Sequence, residues 1–433
     1  MKKTAYLGID VSKGYADLIL IDKEKVILEP VFRLDDTSNR LQILESIAKK
    51  CTSLGYKMVC AAESTGGYEN HWLDDLLFLS LTYPIQVARV NPKAVKGISD
   101  ACLTRTITDA VSALNIAYYL ISFENRIDFL RPSQNVFKEE RSFYNMIRLN
   151  IKQRTQLYNQ FEKIIYQYFP KLMLYCRHGV PNWLLNLLLK YPTIESIKKA
   201  GVEKIQYIKG IGPQKAESII KKLEDCPVNG IKKISILTIK HQAQEILRKD
   251  ELIGQMKKEM IQQYMNHPLV KLLISIVGIG YETATILLFE IEDIRRFDSA
   301  KKMASYFGVN PVYKQSGDGT WGNRISKKGR KTVRGILYMS ALTAVNSKKT
   351  DIFRNIYARM RQNGKGHYDA SVVVIHKLIR VIYGVLQGGT EFNGEIDKLN
   401  QERSQERQEK KKEEGTERER GKKKILVQIP TTR

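Results

Sequence analysis

The sequence predicts an α/β plus all-α chain: an N-terminal sheet with helices, then a mainly helical remainder. Three observations predict it. Apolar runs of strand length alternate with helically spaced segments through residues 1–125. Between Arg141 and Leu172, the residues Met146, Ile147, Leu149, Ile151, Leu157, Phe161, Ile164 and Ile165 recur at helical spacing. Two later segments, Ile208-Lys209-Gly210-Ile211-Gly212 and Ile276-Val277-Gly278-Ile279-Gly280, share a Gly-x-Gly turn that runs into a helical pattern.

Taken in order, residues 5–21 read as two strands joined by a turn at Ser12-Lys13-Gly14. Val26 to Phe32 reads as a third strand and Leu41 to Lys50 as a helix. Lys57 to Glu63 is another apolar strand, ending in Ser64-Thr65-Gly66-Gly67. Tyr68 to Leu79 has a helical pattern, and Pro84 to Val90 is strand-like. Asn91-Pro92 is expected to break the chain. Thr106 to Phe123 then reads as a helix on Val111, Leu114, Ile116, Ala117 and Leu120. The 141–172 segment reads as one long helix, half of a helical hairpin or of a coiled coil. Residues 180–390 read as helices with basic loops. Gln401 to Lys424 is almost free of apolar residues and is expected to be disordered or a solvated helix.

At 433 residues the chain exceeds one ordinary core, so two or three domains are expected. Net charge is +25. Residues 395–433 contribute only +3 of this, from 12 Lys/Arg against 9 Asp/Glu, so the body stays strongly basic. That is the footprint of a nucleic-acid partner. No run approaches the roughly 20 apolar residues that span a bilayer, and Met1 to Ala5 lacks a signal-peptide core. Cys51, Cys60, Cys102, Cys176 and Cys226 are scattered and form no CxxC, which fits a reducing cytoplasm and no zinc knuckle. The six histidines show no ligand spacing.

Two constellations carry chemistry. Asp10 and Glu63 stand at strand ends, and Asp109 on a helix that could cross them. Clustered carboxylates suit divalent cations, and Mg2+ in particular takes oxygen ligands and bridges phosphate. The plainer alternative has Asp10 capping a turn and Glu63 capping the helix start at Gly66-Gly67. The second constellation is Ser316 beside Gly317, followed by Arg324, Lys327, Lys328, Arg330, Lys331 and Arg334. A serine beside glycine is open to a phosphate, and dense cations stabilise charge at phosphorus. A phosphate-binding loop with no covalent chemistry is equally open on these residues. The turns at Gly210, Gly212, Gly278 and Gly280 have the form of helix-hairpin-helix contacts to a DNA backbone.

Together and in this order, the motifs resemble the insertion-sequence transposases of family one-ten, related to the Piv invertase and to bridge-RNA-guided recombinases. The resemblance covers about residues 4–390. It rests on Gly8-Ile9-Asp10-Val11-Ser12-Lys13, on Glu63-Ser64-Thr65-Gly66-Gly67-Tyr68, and on Asn91-Pro92 with Thr108-Asp109-Ala110-Val111-Ser112-Ala113. It continues through Val277-Gly278-Ile279-Gly280, Phe297-Asp298-Ser299-Ala300, Gly308-Val309-Asn310-Pro311, Ser316-Gly317 and Ile325-Ser326-Lys327-Lys328-Gly329 with Arg334. Ile107 and Ser112 stand where the family carries a lysine and a fourth acid.

The resemblance implies an RNase H-like (RuvC-like) domain over 1–125 and a helical coiled-coil or dimerisation region over 126–200. It further implies a C-terminal transposase domain over 201–390, with 391–433 left as a charged tail. It implies Ser316 as nucleophile, giving a 5′-phosphoserine link to DNA. Asp10, Glu63 and Asp109, with Ser112 at the fourth position, would hold Mg2+, and the acidic site of one protomer would complete the serine site of another. DNA, a structured guide RNA and a homo-oligomer, dimer or tetramer, are the implied partners, in a cytoplasmic, nucleoid-associated setting. Two other functions stay open: a RuvC-type, metal-dependent Holliday-junction endonuclease, and a catalytically impaired DNA- or RNA-binding remnant in which Ser112 has replaced the fourth acid.

Overall fold

The computed structural model describes residues 3–37, 39–101, 108–130, 136–226, 231–316, 319–327, 329–396 and 399. The side chains of residues 311–324 are outside that description. So are Cys102, Ile107, Gly317 and Lys328, and nearly all of the 391–433 tail beyond residue 396. The chain divides into two compact units, residues 1–136 and 137–433.

The first unit holds one six-stranded sheet. β1 (Lys3–Ser12) and β2 (Tyr15–Asp22) form the expected hairpin, and β3 (Ile27–Asp35) adds antiparallel to β2. After α1 (Arg40–Ser53), β4 (Tyr56–Glu63) pairs parallel to β1. After α2 (Asn70–Leu79), β5 (Ile85–Val90) pairs parallel to β4. Then come α3 (Pro92–Ala101), α4 (Asp109–Phe123) and β6 (Phe129–Leu130), a short antiparallel edge on β5. The strand order is β3-β2-β1-β4-β5-β6.

Asn91-Pro92 does not break the chain. Pro92 opens α3, because a proline's missing N–H costs nothing in a first helical turn. One sheet face carries Ala5, Leu7, Ile9 and Val11 against Leu44, Ile47, Trp72, Leu73 and Leu76 of α1 and α2. The other carries Tyr6, Ile19, Ile21, Val59 and Ala61 against Ala113, Ile116, Ala117 and Leu120 of α4. Helices on both faces explain why β1 and β4 are apolar almost throughout.

The second unit is helical apart from one hairpin. α5 (Lys138–Tyr168) stops two residues short of Pro170, not at Leu172, since proline bars the preceding residue from the helix. α6 (Asn182–Lys190), α7 (Ile194–Ile205) and α8 (Pro213–Glu224) lead to α9 (Lys233–Tyr264). α5 and α9 lie antiparallel. Glu140 meets Tyr264 at one end, Tyr168 meets Ser235 at the other (3.1 Å), and Arg154 pairs with Asp250 between them at 2.7 Å. The apolar seam of α5 is thus filled by α9 of the same chain, while Met146 and Leu149 remain exposed.

α10 (Pro268–Ile274), α11 (Tyr281–Ile291) and α12 (Ala300–Tyr306) follow. The antiparallel hairpin of β7 (Pro311–Ser316) and β8 (Gly319–Ile325) comes next, then α13 (Lys331–Asn346), α14 (Ile352–Gln362) and α15 (His367–Gly388). Among the described residues no helix is long and apolar enough to cross a membrane.

Candidate functional site

The site grows from the α4-facing side of the sheet. Side chains alternate across a strand, so Tyr6, Gly8 and Asp10 share that side on β1, and Val59, Ala61 and Glu63 on β4. β1 and β4 are parallel with Ile9 opposite Ala62, so Asp10 and Glu63 emerge at the same end. That end, beyond the carboxyl termini of parallel strands, is where α/β sheets hold ligands.

Gly8 is what lets the third acid join them. A Cβ at Gly8 would lie 2.0 Å from the Ala113 carbonyl oxygen and 2.8 Å from the Ala117 nitrogen. Backbone packs on backbone there, which brings the first turn of α4, carrying Asp109 and Ser112, down beside Asp10. Thr108 caps that turn by accepting from the Val111 N–H at 3.3 Å.

Burial pushes the Asp10 carboxyl up to about 6, and the charges of Asp109, Glu63 and Asp17 push the same way. The Ser112 hydroxyl hydrogen-bonds to Asp10 and opposes the rise. Burial also raises Glu63. The structure therefore gathers Asp10, Glu63, Asp109 and Ser112, and Ser112 serves Asp10 as a hydrogen-bond donor in place of a fourth charge.

Three neighbours carry no signal of their own in the motifs. Asp17, only 6% exposed, is the direct cross-strand partner of Asp10. Two acids in that relation repel. Arg33, opposite Asp17 on β3, relieves this. Its Nε donates to Asp17 Oδ1 at 3.2 Å and its Nη2 to Oδ2 at 2.9 Å. The guanidinium lies 4.0 Å over the Tyr15 ring and reaches Asp109 Oδ2 at 3.5 Å. Tyr15 donates its hydroxyl to that same oxygen at 3.3 Å. A tight turn at Ser12–Gly14 already implies the Asp10–Asp17 pairing, so Asp17 could have been found from the hairpin register.

The donor set is all oxygen and carries more negative charge than Arg33 offsets, which suits a hard divalent cation. Among the described residues, however, no three His, Cys, Asp or Glu side chains already stand in metal-binding geometry. Asp109 Oδ2 instead accepts from Tyr15 and Arg33.

Glu63 does not cap the Gly66-Gly67 turn. Glu69, 1% exposed, does so. It accepts from the Gly67 N–H at 2.8 Å and the Thr65 N–H at 3.2 Å, and pairs with Arg89 at 3.6 Å. Gly66 (φ 82°) and Gly67 (φ 116°) supply the left-handed backbone this turn needs. Glu63 is left free to face the acids. Glu69→Ala is expected to cost about 2 to 3 kcal/mol through the orphaned N–H groups and Arg89. Thermal denaturation reads this as a lowered Tm of the first unit.

In the second unit, Ser316 ends β7, with its backbone paired to Gly319. Of the cations after it, Arg330 pairs with Glu290 at 3.4 Å and donates to the Tyr306 hydroxyl at 3.1 Å. Arg334 donates to the Phe307 carbonyl at 3.1 Å. Both brace the root of the hairpin. Lys327 and Lys331 are exposed, and Arg324 lies on β8.

The two Gly-x-Gly turns have nearly the same backbone. Gly210 and Gly278 have φ of 88° and 91°. Gly212 (φ −95°, ψ 173°) and Gly280 (φ −96°, ψ 175°) then open α8 and α11. Their surroundings differ. The first turn has exposed Lys209 and also Lys215, which donates to the Gly210 carbonyl at 2.8 Å. The second has Glu282, paired with Lys257 at 2.8 Å, and Gly278 packed on α13, where a Cβ would meet the Ser340 carbonyl at 2.4 Å. The first turn is thus flanked by cations, while the second packs on α13 through Gly278 and leaves Gly280 exposed.

Comparison with known proteins matches these parts. Residues 7–170 match a family model described as "Transposase", of the DEDD type. Residues 181–225 match a SAM-like helix-hairpin-helix tandem, and residues 270–358 match "Transposase IS116/IS110/IS902 family". The insertion element IS110 43.6 kDa protein of Streptomyces coelicolor is 23% identical over 90% of this chain and 96% of its own length. The transposase for insertion sequence element IS1111A of Coxiella burnetii is 21% identical over 89% and 90%. The pilin gene-inverting protein of Moraxella bovis is 32% identical over 36% of this chain and 48% of its own. With the acidic sheet and the hairpin-bearing helical region both matched, the chain belongs to the IS116/IS110/IS902 family of transposases.

Proposed function

We propose that this protein cleaves and rejoins DNA strands as an insertion-sequence recombinase. In this reading Ser316 forms a transient bond to a DNA phosphate, and Asp10, Glu63 and Asp109 act with a divalent cation, Mg2+ by donor type. The observation that carries it is the convergence of those three acids at one end of the sheet, in a transposase-family chain. The strand order, three antiparallel strands followed by two parallel ones, supports an RNase H-like, RuvC-like assignment of the first unit.

The Ser316 hydroxyl attacks phosphorus, forms the 5′-phosphoserine bond and releases the 3′-oxygen, which takes up a proton as serine loses its own. Attack by a 3′-hydroxyl on that bond reverses the step and reseals a strand. A bound divalent cation supplies neutralisation of charge at the phosphate. The protein's own residues do the rest. Asp10 is oriented by Ser112, and Arg33 with Tyr15 holds Asp109. Arg324, Lys327, Lys328 and Lys331 offer positive charge along the strand, and the Gly210–Gly212 turn contacts the backbone. Selection of the two DNA partners by a structured RNA, and action as a dimer or tetramer, complete the reading. The Moraxella relative, a gene-inverting protein, is in keeping with it.

Ser316→Ala is expected to abolish covalent capture of DNA while leaving DNA affinity intact. A second reading has support in the same sheet: the acidic cluster, acting without the serine, would cut Holliday junctions by activating water. It predicts cleavage that is lost in Asp10→Ala and unchanged in Ser316→Ala.

A further inference from the structure

One aromatic cluster on the second unit has no part in either chemistry. It sits where α13, α14 and the start of α15 meet. His367 is held at both ring nitrogens. The Tyr338 hydroxyl lies 3.1 Å from Nε2 and the Tyr357 hydroxyl 2.8 Å from Nδ1. Tyr368 stacks on Tyr338 with the rings 23° apart and centroids at 6.0 Å. Its edge contact with His367 is at 5.4 Å. The four rings are therefore locked by hydrogen bonds and by one another. Yet Tyr368 is 72% exposed. Tyr338 lies offset on one side of the Tyr368 ring, and with 72% of the residue exposed most of the ring is open to solvent.

The surrounding charge is mostly positive. From Asp351 to Asp369 the chain carries Arg354, Arg359, Arg361 and Lys365 against the carboxylates of Asp351 and Asp369, the latter next to Tyr368 in the first turn of α15. Arg354 is spent on Asp351 at 2.9 Å. Arg361 donates to the Lys365 carbonyl at 2.9 Å, which orders it without neutralising it. Arg359, Arg361 and Lys365 thus keep their charge, at the end of α14 and in the turn that leads from it to Tyr368.

A fixed, exposed aromatic face flanked by cations matches the demands of a nucleic-acid strand with unpaired bases. The ring stacks on a base, and the cations meet the phosphates on either side. A base within a duplex presents no free face. We propose that Tyr368, backed by Tyr338 and His367, is a stacking platform for an unpaired base, with Arg359, Arg361 and Lys365 holding the adjoining backbone. The proposal rests on neither Ser316 nor the acidic cluster. A strand opened from DNA and a single-stranded stretch of RNA offer the same chemistry.

The test uses the full chain and three fluorescent probes: oligothymidylate, oligouridylate, and a DNA duplex of equal length. Tyr368→Ala is expected to weaken single-strand binding about ten-fold, as loss of one stacked base does, and duplex binding less than two-fold. Tyr368→Phe, which keeps the ring, should bind like the parent. Loss confined to the thymidylate identifies DNA as the source, and loss confined to the uridylate identifies RNA. Unchanged single-strand binding in Tyr368→Ala overturns the proposal, as does equal weakening on the duplex. A change in the sedimentation of the nucleic-acid-free variant also overturns it, since the ring would then belong to a contact between copies of the chain.

Discussion

Gly8→Ala is expected to cost about 3 kcal/mol or more and to lower the Tm of the first unit by roughly 10 °C. The added methyl would stand 2.0 Å from the Ala113 carbonyl and 2.8 Å from the Ala117 nitrogen. Both are helix backbone, so no rotamer change relieves the clash and α4 must lift from β1. Lifting α4 also carries Asp109 and Ser112 away from Asp10. Metal-dependent activity should therefore fall further than the folded fraction does. Gly97→Ala is the matched control, because a Cβ there meets nothing within 4 Å inside α3. It should be neutral or stabilising by about 0.5 to 1 kcal/mol. Equal stability of the Gly8 and Gly97 variants would show that α4 does not rest on β1 as described.

Asp10→Asn is expected to do two opposite things: stabilise the metal-free protein and abolish DNA cleavage. The Asp10 carboxyl is held near 6 by burial and by Asp109, Glu63 and Asp17. Its ionised form is thus disfavoured in the folded state. Allowing for solvent screening, this amounts to about 1 to 2 kcal/mol at neutral pH.

The sign comes from linkage. The folded value is raised, so the folded state binds protons more tightly than the unfolded chain, and stability falls as pH rises from about 4 through 6. The gain in Asp10→Asn should be full above pH 6 and should vanish as pH drops toward about 4. Asparagine keeps an oxygen that accepts from Ser112, so that hydrogen bond survives. Thermal melts in a chelating buffer across this range read the effect. A variant less stable than the parent at neutral pH would mean that the acids are not crowded around Asp10.

Much of this site was legible in the residues. The turn at Ser12-Lys13-Gly14 between apolar runs specified the β1–β2 hairpin, and Asp10 and Glu63 were legible as strand-end acids. The Gly-x-Gly spacing marked two helix entries that share nearly the same dihedrals. What escaped was mostly tertiary. Arg33 lies 23 residues beyond Asp10 on an exposed strand, and only the register of two hairpins brings it to Asp17 and Asp109. Glu69 competes with Glu63 for the Gly66-Gly67 turn, and spacing alone cannot tell a buried cap from a free acid. Pro92 can break a chain or open a helix, and the choice depends on whether residues 93–101 pack as a helix. The partner of α5 is α9, whose Asp250 lies 96 residues beyond its partner Arg154, and an apolar seam does not name its partner.

Whether Ser316 bonds to DNA can be read from the protein itself. The protein is incubated with Mg2+ and DNA from the junctions of its insertion element, then denatured, digested with protease and nuclease, and analysed by mass spectrometry. The expected product is a nucleotide remnant on the peptide containing Ser316, attached through a 5′-phosphate and absent from Ser316→Ala. Cleaved DNA with no protein-linked nucleotide, produced equally by the Ser316→Ala protein, would contradict it and leave the acidic cluster as the whole of the catalytic machinery.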